Sequence, residues 1–226
     1  MKPENLNSFN TLSNLVGQGK TLVVQSTRMD LNNNTYVSEL WKRNSKEWKK
    51  FKSGNNNFSN PKFGNRENTI FYIKTNRTVQ NKSKSNNSFS TICLQTGRSI
   101  ESIFKIEGGI SNYVLSSDGN FLYVITNEWS EEFKKIENKD SEPKYFENLP
   151  FRFDTKGIIY NKRSHIYRVN LNTKKFSKIV NGDKNNILSI QSLVEGKKSL
   201  IFSYDQYNSK GTMLEEKIGS LKGTEV

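Results

Sequence analysis

The chain has 226 residues, is 33% hydrophobic, carries a formal net charge of +13 and contains no alanine. This is enough apolar material for one large domain or two small ones, which excludes a wholly disordered chain. No apolar run is long enough to cross a bilayer and no apolar leader follows Met1, so a soluble, unexported, cytoplasmic protein without a membrane partner is expected.

The best helix former is missing, while Asn, Ser, Thr, Tyr, Phe and Ile are abundant, so an all-β chain with Asn and Gly turns is expected. The first unit, residues 15–55, reads as strands over 20–29, 35–41 and 47–51, with a turn at 32–34 and a closing Ser53-Gly54. Its stretch from Lys42 to Lys52 is strongly basic and interleaved with Trp48 and Phe51, just after Trp41. Such a pattern can follow a nucleic-acid backbone while stacking bases. It also alternates with period two, as a hairpin does when aromatics are buried on one face and lysines solvated on the other. The second reading is favoured, because no nucleic-acid-binding signature accompanies the charge.

The second unit, 60–107, opens over 60–73 and continues with strands over 89–94 and 103–106, with a polar, low-complexity loop expected over 76–88. Cys93 is the only cysteine. It excludes an intrachain disulfide and reads as a small hydrophobe inside a strand. The third unit, 109–181, opens with a hairpin whose turn is Ser117-Asp118-Gly119: Asp can bond its own backbone and Gly accepts a positive φ. Its outer hairpin spans 165–171 and 176–180. The intervening insertion, 127–160, is too long for a simple hairpin loop. A fourth unit, 186–226, has strands within 187–203 and a third over 215–221, and is incomplete. Repeats of about 40 residues, each a pair of hairpins, imply β-propeller-like blades of four antiparallel strands. About three and a half to four blades are present, an incomplete propeller.

Two phrases carry a family resemblance. Residues 149–171 (LPFRFDTKGIIYNKRSHIYRVNL) and residues 34–41 (NTYVSELW) resemble, in the same order, phrases in the propeller of the acylaminoacyl-peptidase type of prolyl oligopeptidase serine peptidases. The segment 60–73 is also similar to the blade openings of that family, and the likeness runs over about 15–205. Thr155 departs from the glycine common at that place. The resemblance implies a propeller that covers an active site carried on a separate α/β-hydrolase domain and restricts which peptides reach it.

The same resemblance points to Arg152 and Asp154 as residues that shape the insertion or contact the hydrolase domain. It also draws attention to Glu131 and Glu132, because some dipeptidyl peptidases of the wider clan hold a substrate's amino terminus with paired glutamates on a propeller insertion. Lys134 and Lys135 stand close enough in sequence to neutralise these two. No catalytic residue is expected in this chain: no Gly-x-Ser-x-Gly nucleophile elbow occurs, and His165, the only histidine, follows no plausible nucleophilic serine and aspartate in hydrolase order. It reads as a strand residue that packs or bonds a loop. One cysteine and one histidine far apart give no metal site, and no cofactor is expected.

The expectation is therefore the noncatalytic N-terminal propeller segment of an acylaminoacyl-peptidase-like protein. Its partners would be the missing remainder of the propeller and a hydrolase domain, in cis or in trans, together with peptides. Self-association through uncovered blade faces is also expected. The alternatives are a stand-alone propeller interaction module and a basic nucleic-acid-binding β protein, the latter disfavoured.

Overall fold

The computed structural model describes residues 9–33, 35–44, 46–76, 89–134, 152–153, 157–158, 162–185, 187–195, 199–207 and 214–222. The loop expected over 76–88 lies outside them, apart from Asn76. The chain divides into two compact units, Met1–Gly109 and Ile110–Val226.

The first unit holds two four-stranded antiparallel sheets in simple up-and-down order. One is β1 (Asn10–Gln18), β2 (Thr21–Asp30), β3 (Thr35–Arg43) and β4 (Trp48–Lys52); the other is β5 (Asn56–Phe63), β6 (Thr69–Asn76), β7 (Phe89–Thr96) and β8 (Ser99–Glu107). Alternate residues of both sheets meet in a core of Val23, Leu40, Phe58, Ile70, Tyr72 and Cys93, flanked by Val16, Phe51 and Phe63. Cys93 is buried there as expected, and that burial pushes its thiol pKa up. The 34–41 phrase has a structural explanation. Leu40 is in the core, and Ser38 bonds Thr27 across the ladder at 2.9 Å. The Asn57 side chain accepts from Ser38 N–H at 3.0 Å and donates to the Tyr36 carbonyl at 3.2 Å, fastening β3 to β5.

β1 was not among the expected strands. Its register on β2 shifts between Ser13 and Val16, and Asn14 there has a φ of 51°. This bulge breaks the period-two pattern by which a strand is recognised.

The second unit begins with β9 (Gly109–Leu115) and β10 (Phe121–Trp129). The insertion follows, with a one-turn helix α1 (Glu131–Lys134) and a short hairpin of β11 (Arg152–Phe153) and β12 (Gly157–Ile158). The chain then returns as β13 (Lys162–Asn170) and β14 (Phe176–Val180), giving a four-stranded sheet of order β14-β13-β10-β9. Because β10 runs on to Trp129, which pairs with Lys162, the inserted segment spans 130–161. After a second one-turn helix, α2 (Gly182–Asn185), come β15 (Ile187–Glu195), β16 (Ser199–Tyr207) and β17 (Leu214–Lys222), a three-stranded meander. β17 contains the 215–221 segment read as a strand from sequence.

The turn between β9 and β10 is held as its residues dictate. Asp118 accepts from Ser116 Oγ at 2.5 Å, from Asn120 N–H at 2.9 Å and from the Asn120 amide at 2.8 Å, while Gly119 takes a φ of 74°. These bonds, that from Ser116 foremost, hold the Asp118 carboxyl below its ordinary pKa. The core joins Ile125, Ile166 and Val180 to Ile187, Ile190, Leu193, Leu200 and Phe202. Leu200 and Phe202, which a blade lacking its neighbour would have left against water, are thus buried, and the exposed partner on that strand is Ile201. The architecture is all-β, with propeller-type sheets, three of four strands and one of three.

Candidate functional site

The strongest concentration of buried ionisable groups among the described residues lies where the insertion leaves the third sheet. Thr126 pairs with His165 across β10 and β13, and period two puts Glu128 and Tyr167 on the same face. Thr126, Glu128 and His165 are buried, on a face that also carries the fully buried Leu122, Val124 and Val169. A carboxylate in such surroundings requires partners. Thr126 Oγ1 donates to Glu128 Oε1 at 2.9 Å and the Tyr167 phenol also bonds this carboxylate. Lys134 and Lys178 approach Glu128 Oε2 to 3.9 and 4.0 Å. Burial, and then the Glu128 charge, raise the Tyr167 pKa, so the phenol stays protonated as a donor.

His165 is fully buried. Its Nδ1 accepts the Gly182 N–H at 3.0 Å, which places the proton of the neutral ring on Nε2. That atom lies 3.9 Å from Glu128 Oε1 and 3.8 Å from Asp183 Oδ2, and has no hydrogen-bond partner among the described residues. Burial is the largest influence on the ring and lowers its pKa; Glu128 and Asp183 oppose this, while Lys178 and Lys134 add to it. The ring therefore fastens α2 to β13 through a neutral acceptor. Gly182 is required at the junction: a Cβ there would lie 2.1 Å from the Ser164 carbonyl oxygen.

Of the residues marked out in the sequence, Glu131 is placed by α1 on the solvent side of this cluster. It accepts from Lys134 Nζ at 2.8 Å, and that bond leads the lowering of its pKa. Burial works against the Lys134 ammonium, but Glu131, Glu128 and Asp183 outweigh it and raise its pKa. Glu131 is thus paired with Lys134. The Glu132 side chain, Lys135 and Asp154 lie outside the described residues, as does the Arg152 side chain. The backbone of Arg152 pairs with Ile158 and that of Phe153 with Gly157, closing the hairpin within the 149–171 phrase. At the root, Lys162 Nζ stands 4.8 Å over the Trp129 ring on the last rung of the β10–β13 ladder.

Sequence reasoning missed Glu128, Lys178 and Asp183. The available signal was Thr-x-Glu at alternate positions of a strand that is otherwise apolar on that face. His165 packs in its strand, as its neighbours suggested, and the group it bonds belongs to α2 rather than to a loop. Among the described residues no group of three His, Cys, Asp or Glu could hold a metal ion, and no helix is long and apolar enough to cross a membrane.

No family model matches the sequence, and no curated protein matches it. Solved structures do. The Pyrococcus horikoshii acylaminoacyl peptidase superposes with a TM-score of 0.66 at 13% identity, over 97% of this chain and 32% of that one. An acylaminoacyl peptidase in complex with Z-Gly-Gly-Phe-chloromethyl ketone gives 0.62 at 12% identity, over 97% and 33%. An uncomplexed form of the Pyrococcus enzyme gives 0.59 at 13%, over 93% and 32%. The chain spans about a third of the length of these proteins. At such identity the likeness establishes the fold, which is that of their propeller portion.

Proposed function

We propose that this chain is the noncatalytic N-terminal propeller segment of an acylaminoacyl-peptidase-like serine peptidase, and that it restricts peptide access to an α/β-hydrolase domain supplied in cis or in trans. The observation that carries the reading is the superposition of 97% of the chain on the acylaminoacyl peptidase propeller portion, together with the ordered resemblance of residues 34–41 and 149–171. The chain contributes shape rather than chemistry. It has no Gly-x-Ser-x-Gly, and its one histidine is buried with Nδ1 committed to Gly182.

Two exposed apolar surfaces support a covering partner. One is a groove of about 730 Å³ on the first sheet, lined by residues that include Leu12, Leu15, Val24, Trp41 and Trp48. The other is on the last sheet, where Val194 and Ile201 are register partners and Ile218 pairs with Ser203 two residues further along the same face. Ile218 is 81% exposed. Contiguous apolar surface of this kind marks interaction faces.

The test is isolation of the chain from its own cells under native conditions, followed by fluorophosphonate labelling. A labelled α/β-hydrolase, continuous with the chain or bound to it, is expected, and the assembly should cleave short acyl-peptides while sparing folded proteins. The 226-residue chain alone should show no hydrolysis of acetyl-aminoacyl chromogenic substrates. Labelling of a serine within the chain itself, or recovery of the chain with no hydrolase attached, would overturn the proposal.

A further inference from the structure

The β3–β4 hairpin carries a concavity of about 520 Å³ lined by Lys42, Asn44, Lys46, Glu47, Lys49, Lys50 and Phe51. Its charge arrangement is costly for the isolated sheet. Lys42 and Lys49 are direct cross-strand partners, and like charges in that position destabilise an antiparallel pair. Lys42 and Lys46 meet no carboxylate at ion-pair distance among the described residues. The Lys49–Glu47 pair, at 3.9 Å, has both side chains at least 80% exposed and contributes little. Of these lysines Lys42 is nonetheless held in place: it and Lys52 stand 5.6 and 5.2 Å over the Phe51 ring, and Phe51 is anchored edge-on against the buried Tyr72. A set of like charges with too few counter-charges is complementary to a multiply charged anion.

We propose that this concavity binds an acidic peptide segment, a run of Asp and Glu side chains whose carboxylates settle among Lys42, Lys46 and Lys49. The ring that lines the concavity, Phe51, favours this partner over nucleic acid. Single strands bind by stacking bases on open ring faces, whereas here Phe51 is covered by Lys42 and Lys52, and Trp41 by Lys50 at 5.5 Å. Protection of the β4 edge against strand pairing accounts for lysines on β4 itself, but not for Lys42 on the inner strand or Lys46 in the turn.

The experiment uses the full chain and a fluorescein-labelled oligoglutamate peptide, read by fluorescence anisotropy at about 50 and about 200 mM salt. Saturable, salt-weakened binding is expected, with none to the oligoglutamine analogue. The Lys42→Gln/Lys49→Gln double variant should bind about tenfold more weakly or worse, and Lys46→Glu, in the exposed turn, should reproduce the loss without touching the ladder. Lys175→Gln/Lys184→Gln, an equal charge change at exposed positions elsewhere, should change affinity less than about twofold. Equal losses in both double variants would reduce the effect to diffuse charge and overturn the proposal. Equal binding of oligoglutamine would do the same, as would tighter binding of a single-stranded oligonucleotide through the same lysines.

Discussion

The hydrogen bond from Gly182 N–H to His165 Nδ1 requires a ring nitrogen with a free lone pair, and a protonated imidazole has none. Burial lowers the folded-state pKa of His165 below its ordinary value of 6.5, so the unfolded chain binds this proton more readily than the folded one. The stabilisation is complete above about pH 6.5 and is lost as the pH falls from there through the folded pKa. The apparent melting temperature is expected to be lower at pH 5.5 than at pH 7.5. In His165→Gln, whose amide oxygen can still accept from Gly182, the difference should shrink. A scan in which both proteins lose the same stability on acidification would assign the effect to other groups. That His165 packs was legible from its place beside Tyr167 and Val169. That its proton sits between Glu128 and Asp183 was not, because Asp183 arrives from a different element and only the folded chain brings the three together.

At the level of single elements, the hairpin of β9 and β10 shows how a few side chains set a register. Ser116 Oγ both donates to Asp118 and accepts from Phe121 N–H, at 2.5 and 2.8 Å, so the turn is locked from its two ends. Asp118→Ala should cost about 1 kcal/mol for the lost bonds and should speed amide exchange at Asn120 and Phe121. Unchanged exchange there would show that Gly119 alone suffices to make the turn. This element could be read in advance because its chemistry is local: Asp, Gly and Ser are contiguous. β17 was legible for a related reason, its Ile218 and Leu221 standing in a short run bounded by polar residues. β1 was not, since a bulge at Asn14 shifts its pattern partway and most of its side chains remain exposed. The short helices α1 and α2 escaped notice because one turn leaves no periodicity to detect.

For the molecule as a whole, the apolar side chains exposed on the first and last sheets among the described residues, such as Leu12, Leu15 and Ile218, are expected to govern how the chain behaves alone. Burial stabilises by about 25 cal/mol per Å² of apolar surface, so covering either face can match a large share of a domain's net stability. Light scattering of the purified chain is expected to show self-association, reduced in a Leu12→Ser/Leu15→Ser variant, whose substitutions fall on exposed side chains and leave the core intact. A compact, cooperative monomer at all concentrations would instead favour a self-sufficient interaction module. Sequence reading reached the all-β class with four-stranded antiparallel sheets because Asn and Gly turns punctuate the strands. It did not reach the identity of the outward residues at the final sheet, where Ile201 and not its neighbours faces out, because a run such as Leu-Ile-Phe is apolar on both sides and only packing assigns its faces.

The shared rung of Trp129 and Lys162 has a wider meaning. The chain leaves the third sheet and re-enters it at adjacent positions, clamped by a lysine over an indole, so whatever lies between is joined to the scaffold at one narrow doorway. The entropic cost of such a loop grows only with the logarithm of its length, about 0.6 kcal/mol for each doubling. The sequence between Lys134 and Lys162 can therefore change in length at small entropic cost, provided Lys134 keeps its approach to the buried Glu128. Novelty in this molecule has a reserved place to accumulate, and the rest of the sheet can stay unchanged while it does.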